Sequence, residues 1–267
     1  MKEKAMADLF SVEDQVVIVS GGSRGIGKAL AAGFASRGAK TVITGRQADT
    51  LAITAKEISL GKHPVTYETH DVGQADRAGD LIARVVASHG RVDCLINVAG
   101  VNNRKRAETY TVEEYDFIVN INLRGAFFLA QAAGNHMIAR GGGGTIINIE
   151  SLNTYAPLRG VLPYAMSKAG MGMMTRGLAE EWGPHGIRVN SLAPGFVLTD
   201  LTQKLWSQPT MQAWGIPNTP LRRLGVPEDM IGTAIFLASG ASAFMTGQIL
   251  YVDGGFSAGL NWPIELP

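Results

Sequence analysis

Cysteine is nearly absent from this chain: Cys94 is the only one among 267 residues. One thiol excludes an internal disulfide framework and a multi-cysteine zinc cage, so no metal is expected, and it suits a reducing cytosol. An excess of either charge is lacking too, with 24 Lys and Arg against 23 Asp and Glu for a formal net charge of +1. That balance argues against nucleic acid or an anionic membrane as the main partner. No run of about 18 apolar residues occurs, so nothing reads as a bilayer-spanning helix. The amino-terminal stretch mixes Lys2, Glu3, Lys4, Asp8, Glu13 and Asp14, with no apolar core of signal-peptide length. The expectation is a soluble, cytoplasmic protein.

What is plentiful is glycine: 33 residues, about 12% against a usual ~7%. Something here needs backbone freedom or close approach. Hydrophobic residues make up 46% and charged residues 18%, as in a globular chain rather than a disordered one. At roughly 100–250 residues per domain, the length allows one large α/β domain or two small ones.

Short apolar runs alternate with helix-like stretches from end to end. The strand candidates are Val16–Ser20, Thr41–Gly45, Val65–His70, Cys94–Asn97, Thr145–Ile149, Arg188–Ser191 and Ile249–Val252. They are apolar on both faces, as buried parallel strands are. Between them Gly25–Arg37, Asp76–His89, Val112–Ala139, Pro163–Trp182 and Pro227–Ala238 read as helices. This alternation predicts an α/β fold: a doubly wound parallel sheet of Rossmann type, in three α/β/α layers, as a single domain over 1–267. Gly141–Gly144 is read as a mobile helix-to-strand loop, and the segment 196–219, without clear periodicity, as a substrate lid.

The first strand runs into Ser20-Gly21-Gly22-Ser23-Arg24-Gly25-Ile26-Gly27 and then directly into a helix. Glycines there permit a tight turn and let backbone N–H groups approach a pyrophosphate at the positive helix end. At the end of the second strand, an NAD-selective site places an acid for the ribose 2′-hydroxyl. This chain instead has Gly45 followed by Arg46. A guanidinium there, with Arg24 as a second fork, suits a 2′-phosphate, so NADP is the expected cofactor. The alternative is NAD, with Arg46 a solvated charge stacking on adenine.

Tyr164 and Lys168 lie four apart, on one face of a helix starting near Pro163. An unperturbed tyrosine titrates near ~10, too high for a useful base. A cation at ~4 Å in an effective dielectric of ~20 contributes roughly 4 kcal/mol and would bring the phenol toward neutrality. Ser151, following the fifth strand, sits at the carboxyl edge where such folds bind ligands, and its hydroxyl could steady a substrate oxygen.

Taken together, Ser20–Gly27, Asn97-Val98-Ala99-Gly100, Asn122, Ser151, Tyr164-x-x-x-Lys168 and Pro194-Gly195 stand in the order and spacing of the short-chain dehydrogenase/reductase family. The resemblance covers essentially the whole chain, from about Leu9 to Gly255. It implies a catalytic set of Asn122, Ser151, Tyr164 and Lys168. In that set the serine orients substrate, the tyrosine moves the proton, the lysine also grips the nicotinamide ribose, and the asparagine supports a water relay. By the same resemblance Asp71 and Val72 meet adenine, and Asn97, Ala99 and Gly100 close over the cofactor. Pro194, Gly195, Val197 and Thr199 form the run that meets the carboxamide and phosphate. Glu150 departs from the family, which usually has a small residue there; it points at the substrate or caps a neighbouring element.

Among members, the chain is similar to the sugar-acid branch, the gluconate 5-dehydrogenases and 2-deoxy-gluconate 3-dehydrogenases. That resemblance implies hydride transfer between the nicotinamide and a secondary alcohol or ketone of a sugar acid, sugar or polyol. Arg104, in the basic stretch Arg104-Lys105-Arg106, could take a substrate carboxylate, or the stretch is a solvated loop. Asn153, Tyr155 and Trp206 complete the candidate substrate set; Tyr155, Trp206 and Trp214 either cover a sugar face or belong to the core. The alternative activity is reduction of a 3-oxoacyl thioester on an acidic carrier protein, and a further one is a cofactor-binding regulator without catalysis. The resemblance also implies self-association as a homotetramer, paired through the two long helices of the middle region.

Overall fold

The computed structural model describes residues 9–259 and consists of a seven-stranded parallel sheet covered on both faces by helices. The strands are β1 (Val16–Ser20), β2 (Lys40–Gly45), β3 (Thr66–Thr69), β4 (Cys94–Asn97), β5 (Gly144–Ile149), β6 (Ile187–Pro194) and β7 (Ile249–Val252). Their spatial order is β3-β2-β1-β4-β5-β6-β7. The doubly wound α/β fold expected from the alternation is therefore present. Order reverses at β1, which pairs with β2 on one side and β4 on the other. The crevice at the carboxyl ends of β1 and β4 is the topological switch point where open sheets bind ligands.

The helices are α1 (Gly25–Ala35), α2 (Ala48–Ile58), α3 (Ala78–His89), α4 (Val112–Val119), α5 (Ala126–Arg140), α6 (Leu162–Trp182), α7 (Gln203–Trp206), α8 (Pro209–Asn218) and α9 (Ile231–Ala238). One apolar layer joins Leu30, Phe34, Leu51, Ala234 and Leu237 to the sheet residues Val17, Val19, Ile43 and Ile96. The opposite layer joins Leu81, Val85, Leu129, Met137 and Trp182 to Ile18, Leu95, Ile146 and Val189. Successive strand residues thus feed opposite cores, which is why β1 is buried throughout. No helix among the described residues is long and apolar enough to cross a membrane.

Three expectations need correction. The stretch 112–139 is not one regular helix: α4 and α5 are joined by a π-helical segment, Asn120–Gly125. The segment 196–219 is not irregular, since it contains α7 and α8. Its helical signal is weak because both helices are short and Trp206 and Gly215 are their only fully buried residues. A Cβ on Gly215 would lie 2.5 Å from Trp206 Cζ3, so no aliphatic stripe marks the face. The stretch from Pro227 opens as a 3-10 turn, Pro227–Met230, before α9 begins.

The glycine run also finds its reason. Gly141, Gly142 and Gly143 all have positive φ, between 73° and 84°, a region that side chains disfavour. A side chain on Gly143 would run into the Gly186 carbonyl, and one on Gly144 into Met137. Arg140 donates to the Gly143 carbonyl at 2.7 Å and to Asp93 at 2.8 Å, so this connection from α5 to β5 is pinned.

Candidate active site

The glycine turn after β1 is shaped by close approach. Gly21 (φ +77°) leaves room for Ala99, whose Cα and N would stand 2.9 Å from a Cβ there. Gly25 (φ +51°) faces Thr199, and Gly27 packs on the Gly21 carbonyl. Helix α1 opens at an extended Arg24 with no side-chain cap and no acid in its first turn. Its leading N–H groups and positive end are therefore unclaimed, which suits a phosphate. Ser20 ends β1 and accepts from the Val98 N–H at 3.1 Å, while the Ser23 carbonyl accepts from Thr54. Ile26 packs into the apolar layer beneath.

Arg24 and Arg46 are both exposed and neither forms an ion pair among the described residues. Arg46 lines an open concavity with Thr69, His70, Asp71, Gln74, Arg77 and Arg84. At Gly45 a Cβ would meet only Leu51, at 3.4 Å. Asp71 is partly buried and accepts from the Gly73 N–H at 3.0 Å; Val72 follows it, its carbonyl against Gly125. These residues fit a dinucleotide carrying an additional phosphate.

Across the switch point, Asn97 is turned inward. Its amide donates to Asn148 Oδ1 at 3.0 Å and to the Ala126 carbonyl at 3.3 Å. The side chain thus ties β4 to β5 and α5, and within this segment Ala99 and Gly100 remain for a ligand. Pro194 ends β6, and Gly195 lies so close to Asp253 that a Cβ would stand 2.5 Å from its Cα. Thr202, not singled out in the sequence, organises the next loop: its hydroxyl donates to the Val197 carbonyl at 2.6 Å and accepts from the Thr199 N–H at 2.9 Å. An i, i+3 hydroxyl contact of this kind is too common to stand out in a sequence.

The proposed catalytic groups converge beyond this cradle. Helix α6 carries Tyr164 and Lys168 on one face, with Pro163 in its first turn. Lys168 is buried, and its Nζ donates to the Ile149 carbonyl at 2.6 Å. Burial pushes this lysine down to about 8, opposed by the charge of Glu150. Nζ sits 5.8 Å from the Tyr164 ring centre. Burial moves the Tyr164 phenol up, not down, while the Ser151 hydroxyl and the Arg104 charge pull it back. Desolvation disfavours the charged form of both partners and is the largest influence on each.

Ser151 Oγ accepts from the Asn153 backbone N–H at 3.2 Å and from its amide at 3.1 Å. Two incoming donors leave the serine proton to point elsewhere. Asn122 is fully buried in the π-helical segment. Its amide donates to the Val101 carbonyl at 2.8 Å and to Ser167 at 3.1 Å, and its Oδ1 accepts from the Val101 N–H at 2.7 Å. Gly100 lies between Asn122 and Lys168, where a Cβ would be 3.3 Å from Asn122 Oδ1 and 3.8 Å from Lys168 Nζ.

The candidate substrate residues separate. Lys105 is paired with Glu114 at 2.7 Å and Arg106 with Glu108 at 2.9 Å. Arg104 is exposed, without an acidic partner among the described residues, and its charge acts on Tyr164. Asn153 is committed to Ser151 and to the Leu158 N–H. Tyr155 is exposed and stands edge-on to Tyr251 of β7. Trp206 is only 3% exposed, packed at 4.9 Å from the Phe196 ring centre within a cluster that includes Leu152 and Leu224. It is the centre of a small apolar core, not a face for a sugar. Glu150 turns beneath α6 to accept from Thr154 at 2.9 Å, and so does not point at the substrate.

Comparison with known proteins places this geometry among relatives. The family described as enoyl-(acyl carrier protein) reductase matches residues 21–257. The chain is 37% identical over 253 residues to gluconate 5-dehydrogenase of Gluconobacter oxydans strain 621H, covering 95% of this chain and 98% of that one. It is 36% identical over 249 residues to 2-dehydro-3-deoxy-D-gluconate 5-dehydrogenase of Escherichia coli K12, covering 93% and 98%. Among solved structures, a gluconate 5-dehydrogenase from Burkholderia cenocepacia J2315 in complex with NADP and tartrate superposes with a TM-score of 0.92 at 34% identity. The match covers 96% of this chain and 100% of that one.

Proposed function

The chain belongs to the short-chain dehydrogenase/reductase family, and from that membership we propose that it is an NADP-dependent oxidoreductase interconverting a secondary alcohol and a ketone on a sugar acid. Arg104 carries the substrate reading. In a loop of three basic residues it alone has no acidic partner among the described residues, and its charge reaches Tyr164. A guanidinium in that place can hold a carboxylate by paired hydrogen bonds while the carbon bearing oxygen faces the tyrosine. A thioester on an acidic carrier would need a broader basic surface, and Lys105 and Arg106 are already neutralised by Glu114 and Glu108.

In this reading Gly21, Gly25, Gly27 and the open end of α1 hold the pyrophosphate. Arg46 and Arg24 hold the 2′-phosphate, and the stretch from Pro194 to Thr199 lies against the nicotinamide half. NADP(H) held there would supply or take up the hydride. Tyr164 passes the proton to or from the substrate oxygen, and the Ser151 hydroxyl donates to that oxygen as negative charge develops on it. Lys168, held on the Ile149 carbonyl, supplies positive charge beside the phenol. Asn122 braces the Val101 backbone that carries Gly100 past the lysine. Residues 196–219, with their own apolar centre at Phe196 and Trp206, form a lid over the substrate.

We read the assembly as a homotetramer. Val112, Tyr115 and Phe117 of α4 and Leu162, Met166 and Met173 of α6 are all exposed, a surface suited to helix pairing between copies. The single thiol, Cys94, is buried in β4 and pushed up to about 12 by burial, so it asks nothing of an oxidising compartment and suits the cytoplasm.

A substrate panel tests the proposal. Gluconate-type acids and their keto forms should turn over with NADP(H), acetoacetyl thioesters should not, and thioester turnover above acid turnover would reverse the assignment. In Arg104→Ala, KM for the acid should rise about 10- to 100-fold, the size of a charged hydrogen-bond pair, with little change for a neutral polyol. An equal loss on both substrates would remove Arg104 from carboxylate binding.

A further inference from the structure

We propose that Glu150 is a positioning residue for the proton-transfer centre: its carboxylate, buried one helical turn along α6 from Lys168, is the anion that keeps that lysine an ammonium. The proposal rests on the reading of Tyr164 and Lys168 as the acid/base pair. Glu150 is 2% exposed, at the end of β5 and directly before Ser151. Its Oε2 accepts from Thr154 at 2.9 Å and lies where a Cβ on Gly172 would be only 3.3 Å away. Lys168 and Gly172 are four apart and share a face of α6, so the missing side chain at 172 makes the space the carboxylate fills. The lysine hangs on the carbonyl of Ile149, whose peptide bond leads into Glu150. Ammonium and carboxylate are thus tied to the same short piece of backbone.

Burial itself pushes the Glu150 carboxyl up, and the groups around it pull back toward the anion. From α6, Lys168 and Arg176 face the carboxylate; from β7, Tyr251 does, with Asp253 and Tyr155 acting on that phenol in turn. Thr154 supplies a neutral donor to Oε2. Glu150 is the carboxylate that acts on Lys168 and opposes the burial drawing the lysine down to about 8. Packing does not account for the residue. Its Oε1 is buried with no hydrogen-bond partner among the described residues, a cost that an apolar side chain would avoid.

In the oxidation direction, kcat/KM rises with pH as Tyr164 loses its proton, and a neutral Lys168 moves that rise to higher pH. Glu150→Gln keeps the shape and removes the charge. It should move the acid limb of kcat/KM up by about one pH unit, a roughly tenfold loss on that limb. Glu150→Asp should restore most of the shift. A limb at the wild-type position in Glu150→Gln, or the same shift in Glu150→Asp as in Glu150→Gln, overturns the proposal. If the glutamine variant does not fold, Gly172→Ala serves instead, since its methyl would crowd Oε2 together with Thr154 and Ile249 at 3.1–3.3 Å. An upward shift there supports the role, and an unmoved limb rejects it. Tyr164→Phe in the same assay separates the two readings. Retained turnover would remove the acid/base pair itself, whereas an inactive Tyr164→Phe beside an unshifted Glu150→Gln would remove only the part assigned to Glu150.

Discussion

At the residue scale, Arg46 and Lys168 show two different relations between sequence and chemistry. Arg46 is singled out by its place alone, because it follows β2 with no carboxylate beside it. It should discriminate cofactors by charge: Arg46→Ala should weaken NADPH binding about 10- to 100-fold and leave NADH within twofold, as judged by fluorescence titration. Weakening of both by the same factor would place Arg46 on the adenine rather than the phosphate. Lys168 and Tyr164 were legible as a pair, but the direction of the phenol's shift was not. Spacing says that a cation lies near; it does not say that both groups are buried. The same limit hid what Asn153, a substrate candidate, does: its two hydrogen bonds to Ser151 come from a local turn that any Ser-x-Asn can make.

Elements add what single positions cannot. The π-helical segment Asn120–Gly125 interrupts a stretch that reads as one helix, and Asn122 lies inside it, fully buried. Such segments are frequent at functional sites, where the extra residue re-aims a side chain. No periodicity betrays it, because α4 and α5 continue the helix on either side. The segment 196–219 shows a second kind of concealment. Trp206 was open to two readings, and the structure makes it core, stacked among Phe196, Leu205 and Ile216. Trp206→Ala should therefore lower the unfolding free energy of the ligand-free protein by about 3–5 kcal/mol, the cost of emptying a buried aromatic site. Urea denaturation measures this, and an unchanged midpoint with an altered KM would return Trp206 to the substrate.

Across the whole molecule, the ends of the sheet divide the work. The carboxyl ends carry the cofactor cradle and Ser151, while the opposite end is fastened by Asp93. This aspartate accepts from the Val16 N–H at 2.9 Å and pairs with Arg91 at 2.7 Å and Arg140 at 2.8 Å, joining β1, β4 and α5. Burial would raise its carboxyl, but Arg91, the Val16 N–H and Arg140 together hold it below the usual value. A carboxyl depressed in the folded state contributes stability above its unfolded value near ~3.9, and the contribution disappears as pH falls through the folded value. Asp93→Ala should cost about 1–3 kcal/mol at pH 7, since it leaves the buried Val16 N–H without its acceptor and the partly buried Arg140 without its anion. The difference from wild type should shrink below pH ~3.9, and a cost independent of pH would mean that packing, not charge, makes the contribution.

Some properties followed from the chain without its fold. Strand and helix alternation, apolar runs buried on both faces, the glycine turn after β1 and the four-residue step from Tyr164 to Lys168 are local patterns. Local backbone chemistry and side-chain period therefore suffice to read them. Other properties waited for tertiary structure: which of three basic loop residues keeps a free charge, whether Trp206 is core or contact, which way the Tyr164 phenol shifts, and where Glu150 points. Most of these depend on groups far apart in sequence. Glu150 is defined by Gly172 and Lys168, and Asp93 by Val16 and Arg140. Burial and partnership are properties of the packed chain, and desolvation acts only once that packing exists.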